Sequence, residues 1–487
     1  MEELSPESFS DRIDQRRLPP PSQRGLRWEY NIFDIIPKWE LEPDLEVVRR
    51  IGLIHLPPRS HYAVSKFAEG AFNKLFLFSP SLEVGDSSRD SSALDYIMRV
   101  TLPVDPYFKT AAEVATLKFL ERRTFIPVPR VVAYDASSQN ELQFEWIIMT
   151  RIPGVQLKEA WTSMPWDQKI SVVAQLRERL NELHKPRFKK TGSLYLANER
   201  HVPLHWKLKS NHERDFIPLE DYPDFTIGPI SALPFFYANR IKVPSDRGPF
   251  PDLSQMVRSL VNIQMSSALD RKATLAAAIE QGDTEHDLKD LEELDETVEA
   301  SEVLLSLVNQ FFDRVEGEEF VLHHDDLSAT NILVDPETLE ITGIVDWECT
   351  SLQPLWQASG VPQLLDGPEV NNANLHLNFG VEVPTDLSTP PPTLQDLLGA
   401  REDLGDTELQ QELRDNIEKM LLRRVFEGEE RSDGMSEKLR RVFMNKVLQV
   451  DSEITFRRVL SWAEKVRDGG DPLPQRDEEV LYFWPEQ

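Results

Sequence analysis

The chain has 487 residues, a formal net charge of −29, 40% apolar and 28% charged residues. That length suits two or more domains or one large two-lobed unit, and it is ample for a sizeable core. The acid excess excludes a general nucleic-acid binder, which needs a basic footprint, and leans towards cationic partners.

In chain order, residues 1 to about 45 begin acidic, with no apolar targeting core, and mix prolines ("LPPPSQ") with aromatics. An extended arm that packs in places is expected, in a cytoplasmic protein. No window approaches about 18 uninterrupted apolar residues, so no membrane span is expected. "LEPDLEVVRRIG" predicts a short helix, started by Pro43 and Asp44 and stopped by Gly52. "HYAVSKFAEG" and "FNKLFLFSP" predict a hairpin that turns at Gly70, and "LEVGDSSRDSSAL" a polar loop. "DYIMRVTLP" alternates as a strand with Arg99 on one face. "FKTAAEVATLKFLERRT" predicts a helix with an apolar face of Ala112, Ala115, Leu117, Phe119 and Leu120, followed by strands in "VPRVVAYDAS" and "FEWIIMTRIPG". The order is β-β-β-α-β-β. Helices dominate from about residue 155, interrupted by an irregular, Pro-, Gly- and aromatic-rich stretch at about 190–255. The acidic run 282–299 reads as a solvated helix face. The single cysteine, Cys349, allows no intramolecular disulfide and reads as a small buried residue.

The chemistry concentrates in "VLHHDDLSATNILVD", Val321 to Asp335, followed by "ITGIVDWECT". An acidic loop, an asparagine, a hairpin and a further aspartate make an economical metal-phosphate site. A loop carboxylate orients an attacking hydroxyl, and an amide oxygen with a second carboxylate holds Mg²⁺, whose octahedron water and phosphate complete. The kinase catalytic loop H-R-D-x-x-x-x-N decides between the doubled residues. Asp326 stands five before Asn331 and His324 two before Asp326, so Asp326 is the candidate catalytic carboxylate. His324 supports the loop, Asn331 and Asp346 are candidate metal ligands, and Asp325 and His323 take no assigned part.

"HDDLSATNILVD…GIVDWE" resembles the H-G-D-L-x-x-x-N-I-L and I-D-W/F-E signatures of the aminoglycoside phosphotransferase and choline kinase-like family, and within it the fungal phosphotransferase-enzyme-family proteins. Asp325 stands where the family has glycine, and no G-x-G-x-x-G is present. The resemblance implies an α+β, protein-kinase-like two-lobed fold with a β-rich N-lobe and a mainly helical C-lobe. It implies an arm and short helix over 1–59, a nucleotide-binding N-lobe over 60–153, a catalytic C-lobe over 154–400 with the insert at about 190–255, and a C-terminal helical part over 401–487. It further implies a nucleotide loop at Gly70 and Asn73, a phosphate-contacting cation at Arg99 paired with Glu113, and a hinge whose Met149 to Arg151 backbone meets adenine. The insert motif "SDRGPF" (245–250) becomes a candidate for the acceptor pocket, with a plain Gly-Pro turn as the other reading.

The expectation is an ATP- and Mg²⁺-dependent kinase of a small-molecule hydroxyl acceptor, which the acidic charge suggests is cationic, with no nucleic-acid or membrane partner. The acceptor and the oligomeric state are not readable. Two alternatives stay open: a non-catalytic pseudokinase-like nucleotide-binding or scaffold protein, and a protein kinase, against which the absence of D-F-G and A-P-E speaks.

Overall fold

The computed structural model describes residues 23–473 apart from 31–34, 59–61, 81–93, 199–215, 244, 282–287, 313–317, 368–383, 385–388, 393–406, 428–434 and 451–455. The polar loop expected at about 81–93 therefore lies outside the described residues.

The arm forms an antiparallel hairpin, β1 (Leu26–Tyr30) and β2 (Ile35–Trp39). It touches both halves of the molecule: Trp39 meets Phe144 at 5.2 Å between ring centroids, and Trp28 meets Tyr237 of the insert edge-on at 5.6 Å. Helix α1 (Leu45–His55) starts at Asp44, whose carboxylate accepts from the backbone N–H groups of Glu46 and Val47. That satisfies two donors the first turn leaves open. Gly52 does not stop this helix, as expected from the sequence, but sits inside it. A Cβ there would come 2.1 Å from Phe78, so the missing side chain is what lets the sheet approach.

The sheet holds β3 (Tyr62–Glu69), β4 (Asn73–Pro80), β5 (Tyr96–Thr101), β6 (Val131–Asp135) and β7 (Glu145–Thr150), in the antiparallel order β3-β4-β5-β7-β6. Helix α2 (Phe108–Arg123) follows β5. All six residues of β5 are buried, because both faces are covered. Tyr96, Met98 and Val100 join Val48 and Ile51 of α1, while Ile97 packs with Val114 of α2. Strand alternation therefore turns Arg99 towards α2. The apolar face expected for α2 understates its burial. Lys109, Thr110, Glu113 and Thr116 are buried as well, so the helix is enclosed on every side up to Leu117, exposes its last turn, and carries charge inward.

The rest is mainly helical. β8 (Val155–Gln156) leads to α3 (Leu157–Trp161) and α4 (Trp166–Leu183). The stretch at 190–255 is more ordered than its composition suggests: β9 (Ser193–Leu196), β10 (Ile217–Pro218) and β11 (Phe225–Gly228) form a three-stranded sheet, and α5 (Leu233–Phe236) follows. Two long helices, α6 (Leu253–Glu280) and α7 (Leu288–Phe311), pair. Next come β12 (Phe320–His323), β13 (Ile332–Val334), β14 (Ile341–Ile344), β15 (Ser351–Pro354) and α8 (Leu355–Ala358). Helices α9 (Thr407–Glu427), α10 (Met435–Gln449) and α11 (Phe456–Arg467) complete the described chain.

One core joins Val172, Val173 and Leu176 of α4 to Leu322, Ile332, Ile344 and Trp347 beneath the motif strands. A second joins α6 and α7 to α10 and α11 through Val257, Leu304, Phe443 and Val459. The first core makes the motif loop a rigid platform. No helix among the described residues is long and apolar enough to cross a membrane.

Candidate active site

The loop between β12 and β13 carries the motif. β12 is paired to β15 and β13 to β14, so both ends of the loop are anchored. His324 is buried within it. Its Nε2 bonds the carbonyl of Val345 at 3.0 Å and its Nδ1 accepts from the backbone N–H of Asp326 at 3.3 Å. Its ring stands edge-on to Trp347, 4.6 Å between centroids. Burial pushes the imidazole down to about 4, so it is neutral and serves as a brace rather than a base. Asn331 donates through Nδ2 to both the carbonyl and the Oδ2 of Asp326, each at 2.9 Å. The carboxylate of Asp326, an exposed residue, is thus held from below. Asp325 is exposed beside it.

The hairpin returns Asp346 to the same place. Val345 N–H bonds the carbonyl of Asn331 at 2.9 Å, which puts Asp346 next to the asparagine. Asp346 and Cys349 both have left-handed backbone, φ 64 and 61. Trp347 between them is buried and donates Nε1–H to the carbonyl of Ile344. With the tryptophan fixed inward, its neighbours Asp346 and Glu348 reach across to the other lobe.

There they meet Arg99. Its guanidinium bonds Asp346 at 2.9 Å, Glu113 of α2 at 2.7 Å, and Glu348. Lys109, one helical turn before Glu113, meets Glu348 at 2.5 Å. Asn73 donates to Glu348 at 2.8 Å and accepts from Thr101 at 3.1 Å and Lys109 at 3.3 Å. Two cations therefore face three carboxylates in a buried layer. Burial works against the charge on Arg99, but Glu113, Glu348 and Asp346 together raise its pKa. Burial pushes Glu113 up to about 7, although Arg99 pulls it down. Burial likewise opposes ionisation of Glu348, yet Lys109 and Arg99 hold it at about 2. Asp346 is raised by burial and by Glu348, against Arg99.

The structure thus brings Asp326, His324, Asn331, Asp346, Arg99, Glu113 and Asn73 together. Gly70 lies at the β3–β4 turn, where its N–H bonds the carbonyl of Asn73 and its α-carbon faces open space. Met149 and Arg151 fit their expected part less well. Met149 is inside the sheet between Ile97 and Val131, and the N–H of Arg151 already bonds the carbonyl of Asp95 at 3.0 Å. In this arrangement Arg151 has no backbone donor to give a base, while its guanidinium pairs with Asp95. "SDRGPF" does not open a pocket through its arginine. Arg247 is clamped bidentate on buried Asp105, at 2.8 and 2.5 Å, with Ser231 on the same carboxylate, and it ties the insert to the start of α2. Sequence reasoning missed Lys109 and Glu348. The i, i+4 spacing of Lys109 and Glu113, and the glutamate inside "VDWE", were the available signals.

The donor set suits a hard cation. Both N–H groups of Asn331 are turned to Asp326, which leaves its amide oxygen as the end for a metal, and Asp346 has a second oxygen besides the one on Arg99. Among the described residues no trio of His, Cys, Asp or Glu forms a metal cluster unaided. Two protein oxygens fit Mg²⁺ arriving with phosphate better than a resident metal.

Residues 80–357 match the family described as "Phosphotransferase enzyme family" (APH). The chain is 30% identical over 328 residues to a subtelomeric hrmA-associated cluster protein of Aspergillus fumigatus, covering 61% of this chain and 60% of that protein. It is 27% identical over 276 residues to the mitochondrial "Altered inheritance of mitochondria protein 9" of Clavispora lusitaniae, covering 52% of this chain and 43% of that protein. The chain thus spans about 60% or less of these relatives' lengths. A crystal structure of aminoglycoside phosphotransferase APH(4)-Ia aligns with 87% of this chain and 99% of its own at 13% identity, with a TM-score of 0.35, too low to add weight. The family match spans more than half of the residues and takes in both the charged layer and the Asp326 loop, and the chain belongs to the phosphotransferase enzyme family.

Proposed function

We propose that the protein transfers the γ-phosphate of ATP to a hydroxyl of a small molecule. The observation that supports this most is the meeting of two parts at Asp346: Asp326, held by Asn331 beside Asp346, and Arg99, reaching Asp346 from the other lobe. A phosphoryl donor needs a cation on its oxygens, and an acceptor hydroxyl needs a carboxylate in line.

In this reading Asp326 orients the acceptor O–H towards the γ-phosphorus. The new bond forms from acceptor oxygen to phosphorus, the bond from phosphorus to the ADP oxygen breaks, and the acceptor proton passes to Asp326. Asn331 keeps the carboxylate aimed, and His324 keeps the loop in shape. Arg99, paired with Glu113, holds phosphate oxygens. Mg²⁺, when bound by Asn331 and Asp346, would screen the phosphate charge. That screening matters here, because the layer carries more carboxylates than cations before any nucleotide enters. Catalysis on this plan is positioning and charge stabilisation. The exposed Asp325 beside Asp326 and the net charge of −29 favour a cationic acceptor.

Incubating the full chain with γ-labelled ATP, Mg²⁺ and a pool of hydroxyl-bearing metabolites tests the reading. Label is expected in a small molecule and absent with Asp326→Ala. Label in protein substrates alone points to a protein kinase. Nucleotide binding with no transfer to any acceptor points to a non-catalytic nucleotide-binding module.

A further inference from the structure

Three donors from three elements converge on one oxygen of Glu348: Arg99 Nη2 from β5, Lys109 Nζ from α2 at 2.5 Å, and Asn73 Nδ2 from the start of β4 at 2.8 Å. Lys109 is 1% exposed. A lysine is among the side chains least often fully buried, and its four-carbon stem normally keeps the ammonium in water. Here the stem is folded inward and the ammonium is aimed at an anion. Its other polar neighbour is Asn73 Oδ1 at 3.3 Å, and the ring of Phe72 lies 5.7 Å away. Phe72 belongs to the β3–β4 turn and is tied down, its carbonyl accepting from Leu102 N–H at 2.7 Å. The donors thus form an anion pocket directly beneath the turn that opens at Gly70.

The anion now in that pocket is a poor match for it. Glu348 offers one oxygen to two full cations and an amide, and it has to cross between the lobes to do so. A polyphosphate brings more charge and several oxygens. Arg99 presents a planar fork, and Lys109 a compact ammonium with three donors, which suit neighbouring oxygens of one chain of phosphates.

We propose that Lys109 and Arg99 together hold the nucleotide's polyphosphate, and that Glu348 is the internal anion that occupies their pocket until the nucleotide arrives. The inference rests on the phosphotransferase reading above. Entry of phosphate exchanges a carboxylate of the chain for oxygens of the ligand. Nucleotide binding and release of the Glu348 link between the lobes are then one event, and the ligand favours the released state because it binds that state better.

Calorimetric titration of the full chain with AMP-PNP and, separately, with adenosine tests this. Lys109→Met keeps length and burial and removes the charge. It is expected to weaken AMP-PNP binding about tenfold or more and to leave adenosine binding unchanged. Glu348→Gln removes the competitor's charge. Measured in EDTA, so that only the phosphates are read, it is expected to tighten AMP-PNP binding about tenfold. Unchanged AMP-PNP affinity in Lys109→Met, or an equal loss for both ligands, overturns the role of Lys109. Unchanged or weaker AMP-PNP binding in Glu348→Gln overturns the role of Glu348, and decides the proposal if Lys109→Met does not fold. Failure of the unsubstituted chain to bind AMP-PNP removes the phosphotransferase reading itself, a different outcome from binding that Lys109 does not affect.

Discussion

Asp326 stands exposed on a loop whose supports, the His324 ring and the Asn331 amide, are uncharged, whereas Arg99 lies buried among three carboxylates and beside a second cation. The two regions adjoin where Val345, the residue before Asp346, bonds Asn331, and they are built in opposite ways. The loop uses neutral hydrogen bonds to hold one charge where water reaches it. The charged layer buries Arg99, Lys109 and Glu113, leaves Asp346 partly exposed, and satisfies its ions with one another. Removing a group from the loop changes an aim. Removing a group from the layer strands a buried partner charge, which is strongly destabilising. The exposed Asp326 carboxylate is therefore separable from stability, and the layer is not.

The largest expected effect breaks the comparison most directly. Asp326→Asn keeps the shape and the Asn331 contact but removes the proton acceptor of the proposed reaction. Turnover is expected to fall by about 10²- to 10⁴-fold, with melting temperature and nucleotide affinity kept. A parallel fall in nucleotide affinity would show that the loop is not independent of the layer. A smaller effect is expected from Arg99→Lys. A single ammonium cannot span Glu113, Asp346 and Glu348 as the guanidinium fork does. Nucleotide affinity is expected to drop about tenfold and the melting temperature to fall with it. A variant that loses affinity without losing stability would mean that the carboxylates of the layer find other partners.

The same contrast explains what could be read from the sequence. The loop was legible because its supports are local: His324, Asp326 and Asn331 fall within eight residues, and the spacing alone chose between the doubled copies. The order β-β-β-α-β-β was legible because alternation and turn residues are local too. The layer was legible only in part. Lys109 and Glu348 meet although they lie 239 positions apart in the chain, and a lysine in a helix reads as solvated until the partner is seen. Gly52 reads as a helix stop because its reason, the ring of Phe78, is on a strand that the helix has not yet met. Arg247 reads as part of a Gly-Pro turn because Asp105, which it clamps, lies in the other lobe. The strands within 190–255 are two to four residues long, too short for alternation to stand out from their Pro-rich surroundings.

The smallest expected effects sharpen the comparison through pH, because a buried histidine in the loop and a buried glutamate behind the layer respond in opposite directions. His324 in the loop titrates at about 4 when folded, below its usual 6.5, because burial disfavours its charged form. The unfolded chain takes up that proton first as pH falls. Stability from this group is complete above about 6.5 and is lost as pH drops towards 4. Glu145 stands behind the layer, where it accepts from the N–H of Tyr107 at 2.6 Å. Tyr107 has left-handed backbone, φ 72, immediately before the helix that carries Lys109 and Glu113. Burial pushes Glu145 up to about 7 from its usual 4.5, against the hydrogen bonds from Thr110 and Tyr107 that pull it down. The folded state holds that proton longer, so stability from this group is complete below about 4.5 and is lost as pH rises towards 7. Glu113 adds to the loss in the same direction. Glu145→Gln mimics the protonated form. Its melting temperature is expected to match that of the unsubstituted chain near about pH 4.5 and to exceed it by a few degrees at about pH 8. His324→Asn is expected to melt lower at every pH, through loss of the loop brace and the Trp347 contact, but with a flatter acid limb. An equal offset for Glu145→Gln at both pH values would mean that Glu145 folds ionised, and that the layer tolerates one more buried negative charge than its partners can neutralise.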